Sequence, residues 1–217
     1  MGRLITGLND WSFLKLGIMT IYRHCFWILC VFLLSSCTTP VKKNLAKDSE
    51  EVIHVVENRS VDASVRRDFK ESLELLNAGR YEEAVTLLNK VASQTEGNSA
   101  PFINLGIAYS RLDKPAQAEN NFLKSLSINP DHPVANNEFA LFKRKRGQFQ
   151  EARVLFERAV ESYPEYLPAR KNLGILCDLY LNDASCALDH YRIYHKANPS
   201  DEEVKIWITS LEKKMDS

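Results

Sequence analysis

The sequence lacks the common motifs of catalysis. It contains no Gly-x-Ser-x-Gly elbow, no glycine-rich loop of the kind that holds phosphates, and no His-Glu-x-x-His helix motif. Each of these motifs brings a nucleophile, a set of backbone donors or a set of metal ligands to one point. Their absence favours a protein that is not an enzyme and that uses no cofactor.

An excess of charge of one sign is missing too. The chain has 28 basic and 28 acidic residues. Without residues 1–36, which hold Arg3, Lys15, Arg23 and Asp10, it has 25 basic and 27 acidic residues. A nucleic-acid surface normally has a strong basic excess. We therefore do not expect this chain to bind nucleic acid.

The apolar run 25–34 is too short for a stable transmembrane helix. It has about ten residues, whereas a membrane-spanning helix needs roughly 20. It follows a basic segment that begins at Met19, and it precedes the small residues Ser35 and Ser36. This order is typical of a secretory signal peptide. We expect residues 1–36 to be a signal peptide and Met19 to be the true start.

Leu34-Ser35-Ser36-Cys37 resembles the lipobox of bacterial lipoproteins. The resemblance implies diacylation of the Cys37 thiol, cleavage before Cys37 and acylation of the new amine. The alternative is an ordinary cysteine after a conventional signal or anchor helix. Thr38 is not the aspartate that retains enteric lipoproteins in the inner membrane. The resemblance therefore favours a lipid anchor on the periplasmic face of the outer membrane, with the inner membrane as the alternative.

Residues 37–63 are mostly polar and charged, apart from an apolar stretch at 52–56. This composition predicts a lipidated N-terminus followed by a flexible tether. About 25 flexible residues have a root-mean-square reach on the order of 25 to 30 Å. Alternatively, residues 52–56 add a short helix or strand to the following domain.

Few cysteines follow the predicted signal. Cys25 and Cys30 would leave with it and Cys37 would carry lipid, so only Cys177 and Cys186 would remain as thiols. In an oxidising compartment such a pair is a disulfide candidate. The alternative is a buried cysteine and an unrelated neighbour.

Internal repetition is the strongest signal in the chain. Residues of similar size recur at a step of 34: Ala84, Ala118 and Ala152; Leu88, Phe122 and Phe156; Gly106, Ala140 and Gly174; Pro130 and Pro164. A fourth set, Ala187, Tyr191 and Pro199, is displaced by one further residue. The displacement indicates a single insertion near residues 182–185. A fixed period of this length is typical of repeat architectures.

These positions resemble the tetratricopeptide repeat, whose pattern is W-x2-L-G-x2-Y, then A-x3-F, then P. The second unit matches almost throughout, with Phe102, Leu105, Gly106, Tyr109, Ala118, Phe122 and Pro130. The resemblance covers residues 64–199 and implies an all-α, right-handed solenoid. About four helix pairs are expected, at roughly 65–98, 99–132, 133–166 and 167–200, with a capping helix over 201–217.

In the repeat family that this chain resembles, the first helix of each pair lines a concave groove that binds protein or peptide segments. Mapped by register, the exposed slots hold Ile103, Ile107, Arg111, Asn137, Leu141, Arg144, Lys145, Lys171, Ile175 and Asp178. Apolar and basic side chains together suit an extended or helical segment with some negative charge. The basic run 143–146 is alternatively a solvated helix end.

The resemblance implies a membrane-tethered scaffold for protein–protein interactions in the bacterial envelope, such as one that assembles a pilus or secretion machine. One alternative is a scaffold for cell-wall enzymes. Another is an accessory domain or a metal or redox chaperone that uses Cys177 and Cys186. His190 and His195 lie about 140° apart around one helix, which is poor spacing for a shared metal ion. Together with His54 and His132, they are interpreted as surface or half-buried residues.

Overall fold

Nine helices and no strand form the part of the chain that the computed structural model describes, residues 61–216. They are α1 (Ala63–Asn77), α2 (Tyr81–Gln94), α3 (Ala100–Arg111), α4 (Pro115–Ile128), α5 (Pro133–Lys145), α6 (Phe149–Ser162), α7 (Leu167–Leu179), α8 (Ala184–Ala197) and α9 (Glu202–Met215). Helices α1 to α8 form four antiparallel pairs, and α9 follows the last pair. The predicted all-α solenoid with a capping helix is confirmed.

The turn inside each pair contains one residue with a left-handed backbone. These residues are Gly79, Asp113, Gly147 and Asn182, with φ of 75°, 53°, 77° and 52°. Glycine has no Cβ to clash at such angles, and Asp and Asn tolerate them better than other residues do. The turns have three residues in the first three pairs and four, 180–183, in the last. The extra residue overlaps the predicted insertion.

Proline ends the second helix of three pairs. Helices α4, α6 and α8 each stop two residues before Pro130, Pro164 and Pro199, respectively. The residue before a proline is biased away from the helical conformation, because the proline ring clashes with its backbone. The chain then turns and begins the next pair.

Side-chain caps begin several of the helices. The Asp62 carboxylate accepts a hydrogen bond from the Ser64 amide at 2.7 Å, and that of Asp201 accepts one from the Val204 amide at 3.2 Å. His132 Nδ1 accepts one from the amide of Ala135 at 3.3 Å. His132 is only 7% exposed, so its interpretation as a surface or half-buried residue was wrong. Its ring caps α5 from a buried position.

The two helices of a pair approach closely at small residues. A Cβ atom on Gly106 would lie 2.7 Å from the ring of Phe122, and one on Gly174 would lie 2.5 Å from the ring of Tyr191. In the third pair, Ala140 and Phe156 are fully buried in one core cluster. The glycines thus make room for a large aromatic residue on the partner helix.

A buried ion pair joins the second and third pairs. Lys143 on α5 has a side chain that is only 6% exposed, and its Nζ lies 2.6 Å from Glu119 of α4 and 2.7 Å from Glu151 of α6. Burial alone would lower the pKa of Lys143, but hydrogen bonds to the two carboxylates hold that pKa above its usual value. The charge therefore stays on the lysine at neutral pH.

Candidate protein-binding groove

The first helices of successive pairs lie side by side. Helix α3 contacts both α1 and α5, and α5 also contacts α7. A hydrogen bond of 2.9 Å from Asn172 Nδ2 on α7 to Asn137 Oδ1 on α5 crosses one of these contacts. The open faces of these helices therefore form one continuous surface, which is the candidate groove.

An apolar row crosses this surface. Ile107, Leu141 and Ile175 stand at a step of 34 residues on α3, α5 and α7, and each is half-buried. Ile107 packs against the core cluster around Phe122, and the other two pack against the cluster around Phe156. Each residue of the row thus packs against the core on one side and is partly exposed on the other. The exposed side can contact an apolar side chain of a ligand.

Two of the ten predicted groove residues are not exposed. Ile103 is only 3% exposed and belongs to the core. Asn137 is 2% exposed, accepts the hydrogen bond from Asn172 and donates one to Glu138 Oε1 at 2.9 Å. The prediction that these side chains are exposed was wrong, because the neighbouring first helices pack closely enough to cover them.

Lys171, a third predicted groove residue, is engaged by the capping helix. Its Nζ lies 2.7 Å from Asp201 and 3.8 Å from Glu203. It also lies 5.3 Å from the ring centres of Tyr194 and Trp207. Burial would lower the pKa of Lys171, yet the hydrogen bond to Asp201 and the nearby acidic groups raise it. Lys171 therefore connects α7 to the segment that begins the capping helix. Because its charge is paired there, it contributes less positive charge to the groove than the sequence predicted.

The remaining charged groove residues lie toward the C-terminal ends of α3, α5 and α7. Arg111 and Lys145 are exposed, whereas Arg144 and Asp178 are half-buried. No residue between 61 and 216 accepts a hydrogen bond from Arg144 Nη1. Its guanidinium lies 5.8 Å from the ring centre of Tyr180. This side of the groove therefore carries a local excess of positive charge.

Sequence reasoning missed a polar row beside the apolar one. Asn104, Glu138 and Asn172 also stand at steps of 34 residues, and all three are half-buried. Burial raises the pKa of Glu138, against the opposing effects of its hydrogen bond from Asn137 and of the Arg111 charge. The 34-residue period could have predicted this row, because each of its members lies three residues before a member of the apolar row.

Cys177 and Cys186 are joined by a disulfide whose Cα atoms are 5.9 Å apart. Cys177 is fully buried near the end of α7, and Cys186 is half-buried in the first turn of α8. Asp183 lies near both sulfurs, and these three residues are the only described group with spacing for a metal ion. Since both sulfurs are in the disulfide, neither is available as the thiolate that a metal would need.

Several predictions lie outside residues 61–216: the signal peptide with its start at Met19, the lipidation site Cys37, nearly all of the tether 37–63 with its apolar stretch 52–56, and His54. His190 and His195 are both half-buried on α8. None of the helices between residues 61 and 216 has the length and apolar character needed to span a bilayer.

Residues 101–132 and 137–165 match family models of the tetratricopeptide repeat. The first segment covers α3 and α4 and the second covers most of α5 and α6, and the flanking helices form pairs of the same kind. This part of the chain therefore consists of tetratricopeptide repeats, as its 34-residue spacing indicated. Proteins built from this repeat mediate protein–protein interactions.

Solved structures show the same fold. A structure from a functional study of Pseudomonas aeruginosa pilF matches with a TM-score of 0.64 and 19% identity, over 70% of this chain and 69% of that one. MamA from Desulfovibrio magneticus RS-1 matches with a TM-score of 0.59 and 20% identity, over 72% and 88% of the two chains. YrrB, described as a tetratricopeptide repeat protein with an unusual peptide-binding site, matches at 0.54 and 19%, over 67% and 74%.

Proposed function

We propose that this protein is a scaffold without catalytic activity, tethered to the bacterial envelope membrane, that binds an extended or helical segment of another protein in its groove. The observation that supports this most is the continuous row of Ile107, Leu141 and Ile175, half-exposed across three neighbouring helices. Successive ligand side chains can each meet one of these residues. The peptide-binding site named for YrrB, which has the same fold, is consistent with this use of the scaffold.

The charges beside the row define the chemistry of the ligand. Arg111 and Lys145 are exposed on one side of the row, where α3 and α5 end, and neither forms an ion pair with a residue in 61–216. A ligand that places an acidic side chain on this side gains attraction that both cations share. We therefore infer a partner segment with apolar residues along its length and a carboxylate on the side that faces these cations.

The proposed location rests on the N-terminal sequence. Leu34-Ser35-Ser36-Cys37 supports a lipid anchor on Cys37, and Thr38 favours the periplasmic face of the outer membrane. The array would then be held within the reach of its tether from the membrane. Assembly of a pilus or secretion machine suits such a tethered scaffold, and the shared fold with the pilF structure is compatible with it.

Acyl labelling and crosslinking together test this function. The full-length chain is expressed in a bacterial host with an acyl-chain tracer, beside a Cys37→Ala variant. We expect the label on the unchanged chain alone. Crosslinked partners are then recovered from the membrane fraction and identified. A pilus or secretion component would support the specific proposal, whereas a cell-wall hydrolase or synthase would replace it.

A groove variant shows whether the captured partner uses the apolar row. Leu141→Asp places a charge in the row, and Leu123→Asp is the matched control because Leu123 is 52% exposed on α4, a second helix of a pair. We expect Leu141→Asp to lose the partner while Leu123→Asp keeps it, with both variants equally helical by circular dichroism. Equal capture by both variants would overturn the groove assignment.

A further inference from the structure

The two edges of the array differ in charge. The turns between pairs lie at one edge, and each holds one acidic residue and no lysine or arginine: Glu96, Asp131, Glu165 and Asp201. The turns within pairs lie at the other edge, because the helices of a pair are antiparallel. The turns at this second edge hold Arg80, Lys114 and Arg146 beside Asp113 and Asp183, and the positive charge is concentrated where α5 ends, at Arg144 to Arg146.

Three of those cations are adjacent and have no acidic partner. Arg144, Lys145 and Arg146 stand at the end of α5, and none of them forms an ion pair with a residue between 61 and 216. Lys143 is different, because Glu119 and Glu151 bind it inside the array. Lys145 and Arg146 are exposed and Arg144 is half-buried, and together they present a local positive field at the second edge.

An exposed apolar pair protrudes beside these cations. Leu179 is 68% exposed and Tyr180 is 45% exposed, at the point where α7 ends. The Tyr180 ring packs on Phe149 with 4.9 Å between centroids, and the Arg144 guanidinium lies 5.8 Å from the same ring. The apolar pair and the cations thus form a single patch, which we call the basic tip: Arg144, Lys145, Arg146, Leu179 and Tyr180.

The basic tip is held in place by the surrounding turn. The disulfide between Cys177 and Cys186 closes the loop that carries Leu179 and Tyr180. Asp183 accepts a hydrogen bond from the Cys186 amide at 3.1 Å and pairs with Arg153 at 3.3 Å. A loop closed in this way loses little conformational freedom when a surface covers its residues.

We propose that the basic tip is a second contact of this protein with the membrane, and that it binds an anionic lipid bilayer directly. Tyrosine is favoured at the level of lipid headgroups and leucine below it, while arginine and lysine attract anionic headgroups. A protruding apolar pair fits between lipid headgroups, whereas the candidate groove for a protein segment lies across α3, α5 and α7. The acidic edge, with Glu96, Asp131 and Glu165, would face away from the bilayer.

This inference rests on the proposed membrane tether, which brings the tip to the bilayer. It predicts one orientation for the tethered array, with the turns within pairs against the lipid. A full-length chain in vesicles tests that orientation, because the anchored N-terminus keeps the protein at the bilayer surface whether or not the basic tip contacts the lipid. The attachment at Cys37 is scored separately, by the acyl label.

Site-specific photocrosslinking to lipid is the experiment. A benzophenone amino acid replaces Tyr180 in the full chain, and the matched control replaces Leu123, which is also exposed but lies on α4. Each chain is reconstituted into phosphatidylcholine vesicles with and without phosphatidylglycerol and then irradiated. We expect a phospholipid adduct at position 180, stronger with phosphatidylglycerol, and little adduct at position 123.

Charge reversal adds a second readout. Removing one cation should lower the adduct yield at position 180 about fivefold, and Arg146→Glu should lower it further. Arg158→Glu, on α6, is the control for the net charge. Equal lipid adducts at positions 180 and 123, no lipid adduct at either, or a yield unaffected by Arg146→Glu would overturn the inference. So would a protein adduct at 180 in cells in place of lipid, since the tip would then bind an acidic protein segment.

Discussion

Gly174 and Tyr191 are packed so closely that a methyl group on Gly174 would lie 2.5 Å from Cε1 of Tyr191. Gly174→Ala should therefore destabilise the protein, although alanine is the better helix former by up to about 1 kcal/mol. Overpacking of this kind costs about 1 to 3 kcal/mol. We expect a net loss of about 1 kcal/mol in the free energy of unfolding, measured by denaturant titration.

A second substitution separates crowding from other effects of the alanine. Tyr191→Leu removes the ring that the new methyl group would meet, so Gly174→Ala should cost less in that background. The double-mutant cycle would then show a favourable coupling between the two changes. A Gly174→Ala variant that is as stable as the unchanged protein would contradict the packing argument.

The Lys143 cluster should respond differently to loss of the cation and loss of the anions. Glu119 and Glu151 are 38% and 54% exposed, so water can solvate them once Lys143→Met removes the cation. The double variant Glu119→Gln/Glu151→Gln leaves a buried ammonium without a counter-charge. We expect this double variant to lose about 3 kcal/mol and Lys143→Met about 1 kcal/mol. Thermal or denaturant unfolding that ranks them in the reverse order would refute the argument.

Stability should fall on mild acidification partly because of His190. Burial, aided by the positive charge of Arg170, holds the pKa of His190 below its ordinary value of 6.5. The unfolded chain then binds the proton more readily, so His190 contributes full stability above pH 6.5, and this contribution is lost as the pH falls toward the folded-state pKa. His190→Gln should flatten the pH dependence of the unfolding free energy below pH 7.

The matched comparison for that titration is His195→Gln, because His195 is on the same helix and is also half-buried. If wild type and His190→Gln had the same slope of stability against pH, the assignment to His190 would be wrong.

The disulfide should stabilise the fourth pair by restricting the unfolded chain. Cys177 and Cys186 are nine residues apart, and closing a loop of that length is worth about 2 to 3 kcal/mol. We expect Cys177→Ala/Cys186→Ala to lower the unfolding free energy by that amount under oxidising conditions, and by much less when a dithiol reductant is present. An equal difference in both conditions would indicate a packing effect at the buried Cys177.

The left-handed turn residues should tolerate glycine and reject a branched side chain. Asp113 has a left-handed backbone with φ of 53°, and glycine occupies the equivalent position in two other turns, at Gly79 and Gly147. Asp113→Gly should be neutral or slightly stabilising, and Asp113→Val should cost about 1 to 2 kcal/mol. Asp131→Val, in a turn between pairs, is the control and should have little effect. Equal losses for Val at 113 and 131 would contradict the role of backbone strain.

The spacing of a few residues predicted most of this fold. The two helices of each pair must approach closely at one point, so a small residue faces a large aromatic one there, as in Gly106 with Phe122 and Gly174 with Tyr191. Because every pair has this requirement, the residues recur at a fixed period in the sequence. The extra residue in the fourth turn was visible for the same reason, since Ala187 and Pro199 are displaced together.

The groove was harder to predict from the sequence, because exposure depends on what the neighbouring helices cover. Ile103 and Asn137 occupy slots that one helix alone would leave open, yet contacts between first helices bury both. Lys171 forms an ion pair with Asp201, 30 residues further along the chain, and the repeat period does not predict this contact. His132 was interpreted as a surface or half-buried residue because a histidine at a turn carries no signal that it caps a helix from a buried position.

Each helix packs only against helices that are close to it in the chain. This determines how the array would respond to a pulling force. Among residues 61–216, no helix packs against one more than two positions away in the chain. The largest core cluster lies within α5 to α9, which also contain the disulfide. A force applied between an N-terminal anchor and a partner bound in the groove would therefore open α1 and α2 first. Such stepwise extension would let the scaffold lengthen under tension while its C-terminal half still held the partner.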